Sequence, residues 1–361
     1  MFQEELKKIG IKQHVLLILV LLLIIQGVYI GCRGLYSQMV TKTAERNDEI
    51  YEEFYSQLKG KWNQNKEEQM DRWLQERDDS LETYGTKVEQ FLAGEISEED
   101  LYTYYQKTPL CQTKYSEVLD ELEKQKNYIN ENPEKRHMMK MNGWVYFFED
   151  HFVYHLYFLF LLVLFIPLFI REKETKMDLL QGLSSKGPKQ IFICKILAAS
   201  ITMWLGLFLL MSEKYILYYV RCKMQDITNP IQSLIIFENC PWNISIGAGI
   251  ITEILILACG GYLLGSVIIF SSMFIPRALD VCLLILIVVF VPMFICPEEI
   301  LFRYPNITTF LYPDTFIYGW RDIDIGKQVY KTQNELRLMG TVTILAGTVL
   351  LWLARKRGQK K

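Results

Sequence analysis

Gln13–Cys32 reads QHVLLILVLLLIIQGVYIGC, a run of twenty residues without a charged side chain. At about 1.5 Å per residue, a helix of this length crosses the hydrocarbon core of a bilayer, which is about 30 Å thick. A cleaved signal peptide is the alternative, but its apolar part is only about 7–15 residues long and leads into a small-residue cleavage site. Arg33 and Tyr36 follow here. The sequence therefore favours a transmembrane helix over residues 15–33.

Five further apolar runs are long enough to cross a membrane. They cover residues 152–170, 191–211, 244–270, 279–295 and 338–354. The fold class predicted is an all-α, polytopic membrane protein with six transmembrane helices and a helical extracytoplasmic domain inserted between the first and second. Across all 361 residues the net charge is only −2, so no clustered basic excess supports nucleic-acid binding.

Basic residues near the span ends predict the orientation. With the N-terminus in the cytoplasm, the inner segments carry 14 Lys and Arg residues, against 7 in the longer outer connections 212–243 and 297–334. This asymmetry is typical of a plasma-membrane protein with both termini cytoplasmic. Residues 1–14 then form a cytoplasmic interfacial helix, with Phe2, Leu6 and Ile9 on one face and lysines that can meet anionic lipid headgroups.

A polar segment, residues 34–150, separates the first two spans. It holds 25 acidic and 15 basic residues, a charge of −10. Such a surface could attract a cationic peptide or a cation, but a solvated face is the favoured interpretation because an excess of charge alone names no ligand. Tyr102, Tyr104 and Tyr105 could form a recognition patch or could pack within the segment.

The spacing of large apolar residues predicts that this segment is helical. They recur at helix-like steps, at Ile50, Phe54, Leu58, Trp62, Trp73, Leu74, Leu81, Tyr84, Val88 and Phe91. One long amphipathic helix is expected from this pattern. Ser97, followed by three acidic residues ending at Asp100, is typical of a helix N-terminus. Pro109 and Pro133 predict breaks, so three or four helical pieces are expected.

The connection after the second span, residues 171–188, combines charge with an apolar edge. It begins Arg171-Glu172-Lys173-Glu174 and ends in a Ser-Ser-Lys-Gly-Pro turn at Pro188. Between them, Met177, Leu179, Leu180 and Leu183 supply the apolar side chains. The pattern predicts a short amphipathic helix at the cytoplasmic surface, able to transmit a push from a partner into the two spans that it joins.

This arrangement resembles the permease subunits of type-2 exporters of the ATP-binding-cassette (ABC) class. The residues that carry the resemblance are Glu172, Glu174, Leu179, Leu180, Ser184, Pro188 and Lys195. The six-span plan, the cytoplasmic termini and the large insertion after the first span resemble that family as well. The resemblance implies that residues 171–188 are a coupling helix contacting a cytoplasmic ATPase through Glu172, Glu174, Met177, Leu179, Leu180, Leu183 and Pro188.

The chain contains neither a Gly-x-x-x-x-Gly-Lys-Ser/Thr motif nor a Gly-x-Gly-x-x-Gly motif after a predicted strand. It is therefore expected to carry no cofactor and to be no enzyme, with ATP and magnesium on the partner ATPase. The resemblance also implies a second permease chain, identical or related, beside membrane lipid. The expected function is export driven by ATP, with a slight preference for a cationic antimicrobial peptide as substrate. The alternative is a non-transporting receptor whose extracytoplasmic domain binds a ligand.

Residues inside the spans supply the other candidate sites. Glu253 lies about 13 Å into the fourth predicted span, where a carboxylate is costly unless it is paired, neutral or facing water. It is the candidate for the translocation path, with Arg337 as its possible partner, and a protonated or hydrogen-bonded helix-packing residue is the alternative. Gly261 and Gly265 have the Gly-x-x-x-Gly spacing of closely packed helices.

His151 and His155, four residues apart, are half of a zinc site at most, so no metal site is assigned. A disulfide between Cys222 and Cys240 is possible, although spacing alone does not establish it.

Overall fold

The computed structural model describes residues 2–12, 14–35, 47–174, 187–240, 242–295, 310–311, 313, 323–325, 328–330 and 332–358. The chain is predominantly α-helical. Two small antiparallel strand pairs join β1 (Gly60–Lys61) to β2 (His137–Met138) and β3 (Ile323–Ile325) to β4 (Gln328–Tyr330). In the described residues the α-helices are α1 (Phe2–Lys7), α2 (Val15–Cys32), α3 (Asp48–Leu58), α4 (Gln64–Leu92), α5 (Glu98–Lys107), α6 (Thr113–Asn130), α7 (Asn142–Phe148), α8 (Phe152–Glu174), α9 (Gly187–Cys222), α10 (Ile246–Ser272), α11 (Ala278–Ile295) and α12 (Thr332–Gly358).

Four stretches in the described part of the chain are long and apolar enough to cross a membrane. They are α2, the run Asn142–Arg171 that contains α7 and most of α8, α9 from Gln190 onwards, and α10. These are compatible with membrane insertion and coincide with the first four predicted spans. The fifth predicted span corresponds to a shorter apolar helix, Ala278–Val291 within α11, and the sixth falls within α12. The count of six spans stays a prediction.

The third predicted span was drawn too short. It was expected to end at residue 211, but α9 continues to Cys222 and carries Lys214 inside it. Lys214 is completely buried, because the surrounding helices supply partners for its charge. The helix ends where Lys223 takes a left-handed conformation (φ 50°), a common way to terminate a helix. The connection to α10 is therefore residues 223–245, shorter than the predicted 212–243.

Helix α8 lies at the centre of the helix bundle. It packs against α2, α9, α10 and α11, and most of its residues from Val153 to Ile170 are buried. By contrast, α2 has many exposed leucine, isoleucine and valine side chains, as expected for a helix facing lipid. Helix α12 packs against α10. The bundle is thus built around the helix that precedes the predicted coupling segment.

The N-terminal residues form α1 and a π-helical turn, Lys8–Lys12. This segment packs against α9, with Ile9 fully buried and Phe2 and Leu6 partly buried against the bundle core. His14, in the left-handed region (φ 57°), separates the turn from α2. The expected apolar face of the first fourteen residues therefore contacts protein, and its relation to a lipid surface stays a prediction.

Within residues 34–150 the described part contains five α-helices, α3 to α7, one more than the predicted three or four. The additional helix, α7, begins the apolar run that continues through α8. The prediction of one long helix through residues 50–91 was wrong. The helical pattern is interrupted at Lys59–Asn63, where Gly60 has φ +90° and pairs in β1, and Asn63 starts α4 by accepting a hydrogen bond from Lys66 N. The predicted start of α5 is confirmed: Ser97 and Asp100 form a capping box. Both predicted breaks are also found, after Lys107 and after Asn130.

A separate apolar cluster holds the polar segment together. Its buried side chains come mainly from α3 and α6, namely Tyr51, Phe54, Tyr55, Leu58, Trp62, Met70, Val118, Leu119, Leu122, Ile129 and Met138. Only the first part of α4 reaches this cluster, where Met70 is buried and Trp73 and Leu74 pack partly against it. The remainder of the 29-residue α4 extends away from the cluster towards α5.

The polar segment contacts the connection between α9 and α10. Tyr128 OH donates to the backbone oxygen of Gln232 (2.8 Å), and the backbone N–H of His137 donates to Ser233 Oγ (2.9 Å). Tyr55 OH donates to Asp226 Oδ2 (2.6 Å). Burial, and then this hydrogen bond to a carboxylate, raises the pKa of Tyr55. The polar segment and the 223–245 connection therefore lie at the same end of the helix bundle.

Candidate functional site

Four charged side chains and two tyrosines meet at this end of the bundle, and we call them the buried polar cluster: Arg33, Asp150, Tyr154, Lys214, Tyr218 and Glu253. They come from the end of α2, the residues before and within α8, the last third of α9 and the first third of α10. Lys214 and Glu253 are 0% exposed and Asp150 is 1% exposed. Such charges are costly in an apolar interior unless they are paired and hydrogen-bonded.

The part of the cluster nearest the polar segment is centred on Asp150. Arg33 Nη1 lies 3.2 Å from Asp150 Oδ1, and Tyr218 OH donates to Asp150 Oδ2 at 2.9 Å. The backbone N–H of Phe152 donates to Asp150 Oδ1 at 3.1 Å. Asp150 thus caps the start of α8 and ties it to α2 and α9.

The deeper part of the cluster contains Lys214 and Glu253. Lys214 Nζ donates to the backbone oxygen of Asp150 at 2.8 Å and lies 3.9 Å from Glu253 Oε1. The same carboxylate oxygen accepts a 2.7 Å hydrogen bond from Tyr154 OH. Lys214 and Glu253 thus form an ion pair at the outer limit of direct contact. Each is held more closely by a third group, the backbone for the lysine and the tyrosine for the glutamate.

Aromatic rings form the surroundings of the Lys214 ammonium group. Its Nζ lies 4.5 Å from the ring centroid of Phe147 and 5.4 Å from that of Tyr154. The negative face of an aromatic ring attracts a cation, most strongly where water is absent. With two cations and two carboxylates, the cluster is electrically balanced when every group is ionised, which reduces the cost of burying it.

Glu253 lies about 10 Å from the start of α10 and Lys214 about 12 Å from the end of α9, given the rise of an α-helix. Arg33, in contrast, follows the last residue of α2 and is partly exposed. The cluster therefore extends from the end of the bundle into its interior.

The structure places only some of the predicted site residues. Glu253 is buried, and its contacts with Lys214 and Tyr154 fit the alternative interpretation, a hydrogen-bonded helix-packing residue. Its place on a translocation path stays a prediction. The side chain of Arg337 lies outside the described residues, so its pairing with Glu253 stays a prediction. Met177, Leu179, Leu180 and Leu183 of the predicted coupling helix also lie outside them. Glu172, Glu174 and Pro188 fall in the backbone of α8 and α9, but their side chains are outside the described part.

Gly261 and Gly265 lie where α10 meets α8. A Cβ atom at Gly261 would fall 2.2 Å from Tyr157 OH, and one at Gly265 would fall 2.7 Å from the ring of Phe165. Glycine therefore permits the aromatic side chains of α8 to approach the α10 backbone. This contact lies within one chain, so the structure does not assign these glycines to an interface between two copies.

Sequence reasoning missed Arg33, Asp150, Tyr154, Lys214 and Tyr218 as site residues. Lys214 was counted in an outer connection and Asp150 in the polar segment, because each lies next to a charged or polar stretch of sequence. One signal was present: Lys214 is followed by YILYYV, so the helix had enough apolar residues to continue past it. Intramembrane lysine paired with intramembrane glutamate could have been suspected from that continuation.

The remaining candidates give no additional site. Cys222 and Cys240 are free thiols, so the possible disulfide between them is absent. His155 Nδ1 lies 3.1 Å from the backbone oxygen of His151. Among the residues that the structure describes, no group of three or more His, Cys, Asp or Glu side chains is placed to hold a metal ion.

Comparisons of the chain with protein families, with curated proteins and with solved structures found no match.

Proposed function

We propose that this chain is the six-span permease subunit of an ATP-driven exporter of the ABC type, with ATP hydrolysis on a separate subunit. The observation that carries the transport role is the buried Lys214–Glu253 pair, joined by Asp150 and Arg33 across four helices. Ionisable residues inside a membrane are expensive and typically mark the path of a substrate or an ion. The ABC assignment is supported by the sequence of residues 171–188.

The positions of α8 and α9 support a mechanism for coupling. Both helices border the 171–188 segment at one end and contribute to the buried polar cluster at the other, through Asp150, Tyr154 and Lys214. A force applied to the segment by a partner would move these helices as stiff rods. Such a movement would alter the 3.9 Å separation between Lys214 Nζ and Glu253 Oε1. ATP binding elsewhere could thus open or close a polar path without any nucleotide site on this chain.

Two arrangements of the helices are required for this mechanism, because a coupled transporter alternates between states. The ion pair between α9 and α10 fits such a role, since its long separation leaves it easier to break than a bidentate pair. The second half of the translocation unit would be another copy of this chain or a related chain. The termini and the 171–188 segment would lie in the cytoplasm and the polar segment outside. With Lys214 inside the bundle, the 223–245 connection retains Lys223 as its one basic residue, which supports this orientation.

Association with an ATPase tests the proposal directly. We expect Leu179→Asp to abolish co-purification of an ATPase from native membranes, because it places a carboxylate on the apolar edge of the coupling segment. The matched control is Leu92→Asp, the same change at a leucine of α4 that is 77% exposed. Both variants should insert normally. Equal recovery of ATPase with Leu179→Asp and with the unmodified chain would contradict the proposal.

A receptor is the second candidate function, and one contact favours it. The polar segment is hydrogen-bonded to the connection between α9 and α10 through Tyr55, Tyr128 and His137. A ligand bound to the segment could therefore displace these helices without being transported. Mass spectrometry of the co-purified partners distinguishes the two functions. An ATPase supports export, and a histidine kinase without an ATPase supports sensing.

A further inference from the structure

A cleft lies between α5 and the C-terminal part of α4. It has a volume of about 700 Å³ and is lined by Tyr84, Glu98, Glu99, Leu101, Tyr102 and Tyr105. We call it the distal cleft. Its volume is within the range of small-ligand sites, about 300–1,000 Å³. Tyr84 is twenty residues along α4, about 30 Å from the first residue of the helix.

The aromatic rings of the distal cleft are arranged around α4. The ring of Tyr84 lies 5.6 Å from that of Tyr105 and 6.5 Å from that of Tyr104, whereas Tyr102 is 60% exposed. Lys87 Nζ lies 5.1 Å from the centroid of Tyr104, so a ring of this group already receives a cation from the protein itself. The exposed Tyr102 ring beside the cleft can receive another cation in the same way.

Negative charge accompanies these rings. Glu98 and Glu99 are exposed and line the cleft, and neither has an ion-pair partner among the residues that the structure describes. Asp100 is different, because its carboxylate is committed to the capping box with Ser97. Two carboxylates beside tyrosine rings form a surface that attracts a cationic group and disfavours an anionic one.

An apolar side chain also lines the distal cleft. Leu101 is half-buried and lines the cleft together with the exposed Tyr102 and the two glutamates. Ligand pockets typically combine apolar lining with a few polar groups that fix the orientation of the ligand. The occupant that matches all three properties carries positive charges next to apolar side chains.

We propose that the distal cleft binds a cationic, amphipathic peptide. An arginine or lysine of the peptide lies against the Tyr102 ring and beside Glu98 and Glu99, and an adjacent apolar side chain contacts Leu101. This inference goes beyond the proposed function and does not require an ATPase, because the cleft is formed by the polar segment alone. The same site would serve a transport subunit or a receptor.

Binding can be measured on the full chain in nanodiscs of phosphatidylcholine, with empty nanodiscs as the background. The probe is a fluorescein-labelled tetrapeptide of sequence Arg-Leu-Arg-Leu, and Glu-Leu-Glu-Leu is its charge-reversed counterpart. We expect the arginine peptide to bind at least about ten-fold more tightly than the glutamate peptide, since both carboxylates of the cleft attract one and repel the other. Equal binding of the two peptides, or no binding above empty nanodiscs, would overturn the proposal.

Variants locate the binding to the cleft. We expect Glu98→Gln/Glu99→Gln to weaken binding of the arginine peptide about five-fold or more. The control, Glu53→Gln/Glu117→Gln, removes the same charge from exposed positions on α3 and α6 and should change the affinity less than about two-fold. An equal loss in both double variants would show a diffuse charge effect and overturn the cleft as the site.

The aromatic contribution has its own pair of variants. Tyr102→Ala should weaken binding about five-fold, whereas Tyr102→Phe should stay within about two-fold because it keeps the ring face. Tyr102 is exposed, so neither change removes a buried side chain. Circular dichroism checks that all variants retain their helices. Unchanged affinity in Tyr102→Ala would contradict the proposed role of the ring.

Discussion

Burying either Lys214 or Glu253 alone would cost much free energy, whereas burying the two together as a pair costs less. Each is fully buried, and each has a partner besides the other: the backbone oxygen of Asp150 for the lysine and the hydroxyl of Tyr154 for the glutamate. Removing one member of a buried ion pair leaves the other uncompensated, which typically costs about 3–5 kcal/mol. Replacing both members of the pair by apolar residues of similar size costs far less.

Lys214→Met should therefore destabilise the chain strongly, by about 3 kcal/mol or more, because Glu253 loses its cation. The double variant Lys214→Met/Glu253→Met should recover part of this loss. The thermal unfolding midpoint in detergent measures both effects. Lys223→Met is the matched control, since the Lys223 side chain is 69% exposed and solvent screens its ion pair with Asp48. A Lys214 effect no larger than the control would show that the pair is unimportant for stability.

Asp48 provides a pH-dependent contact between the polar segment and the end of α9. Partial burial raises the pKa of Asp48, but hydrogen bonds from Lys140 and Lys223 outweigh it and hold the pKa below the ordinary value of 3.8. The ionised form is thus favoured in the folded state. Its contribution to stability is present above pH 3.8 and is lost as the pH falls through the lower, folded-state pKa.

The expected difference in unfolding midpoint between the unmodified chain and Asp48→Asn is largest near neutral pH and shrinks below about pH 4. Comparing the two chains cancels the contributions of other carboxylates. Unfolding curves between pH 2.5 and about 7 provide the measurement. A constant difference across that range would mean that Asp48 does not gain stability from its lysine partners.

The contact between α8 and α10 depends on two glycines of α10, which carry no side chain. Gly261 and Gly265 allow Tyr157 and Phe165 to lie against the α10 backbone. Interiors are packed too closely to accept added atoms without displacement. Because α8 also borders the predicted coupling segment, the fit between these two helices would determine how movement of α8 reaches Glu253 on α10.

Gly265→Leu should separate α8 from α10 and lower stability by about 1–3 kcal/mol, since its Cβ alone would fall 2.7 Å from the Phe165 ring. Gly31→Leu is the control, because a Cβ at Gly31 meets nothing within 4 Å and the residue is exposed on α2. Unfolding midpoints of the two variants in detergent compare them directly. Similar values for both would show that α8 and α10 do not need this close approach.

The connections between the helices lie at the two ends of one helix bundle. The polar segment contacts the 223–245 connection at one end, and α8 and α9 approach the 171–188 segment at the other. This is the alternation that successive membrane crossings require. Which end faces the cytoplasm is a matter of charge rather than packing, and the count of Lys and Arg residues favours the 171–188 end.

Labelling tests that orientation. In a chain whose eight native cysteines are replaced by alanine, Glu99→Cys should react with a membrane-impermeant maleimide added to intact cells. Lys356→Cys, near the end of α12, should react only after the membrane is permeabilised. Both positions are exposed, so differences in reaction report sidedness rather than burial. Reaction of both cysteines in intact cells would contradict the six-span arrangement with cytoplasmic termini.

Long apolar runs, basic flanks and cap residues were readable from the sequence because each acts through local chemistry. The apolar runs predicted four helices that are long and apolar enough to cross a membrane. The cap and proline residues predicted the capping box at Ser97 and the breaks near Pro109 and Pro133. The interruption at Gly60 was missed because apolar spacing continues across it, and only pairing with residues 137–138 shows the turn. The burial of Lys214 was missed for a related reason. A charge next to a polar stretch appears exposed until distant residues supply its partners, and Asp150, Tyr154 and Glu253 are brought to it only by the packing of the helices.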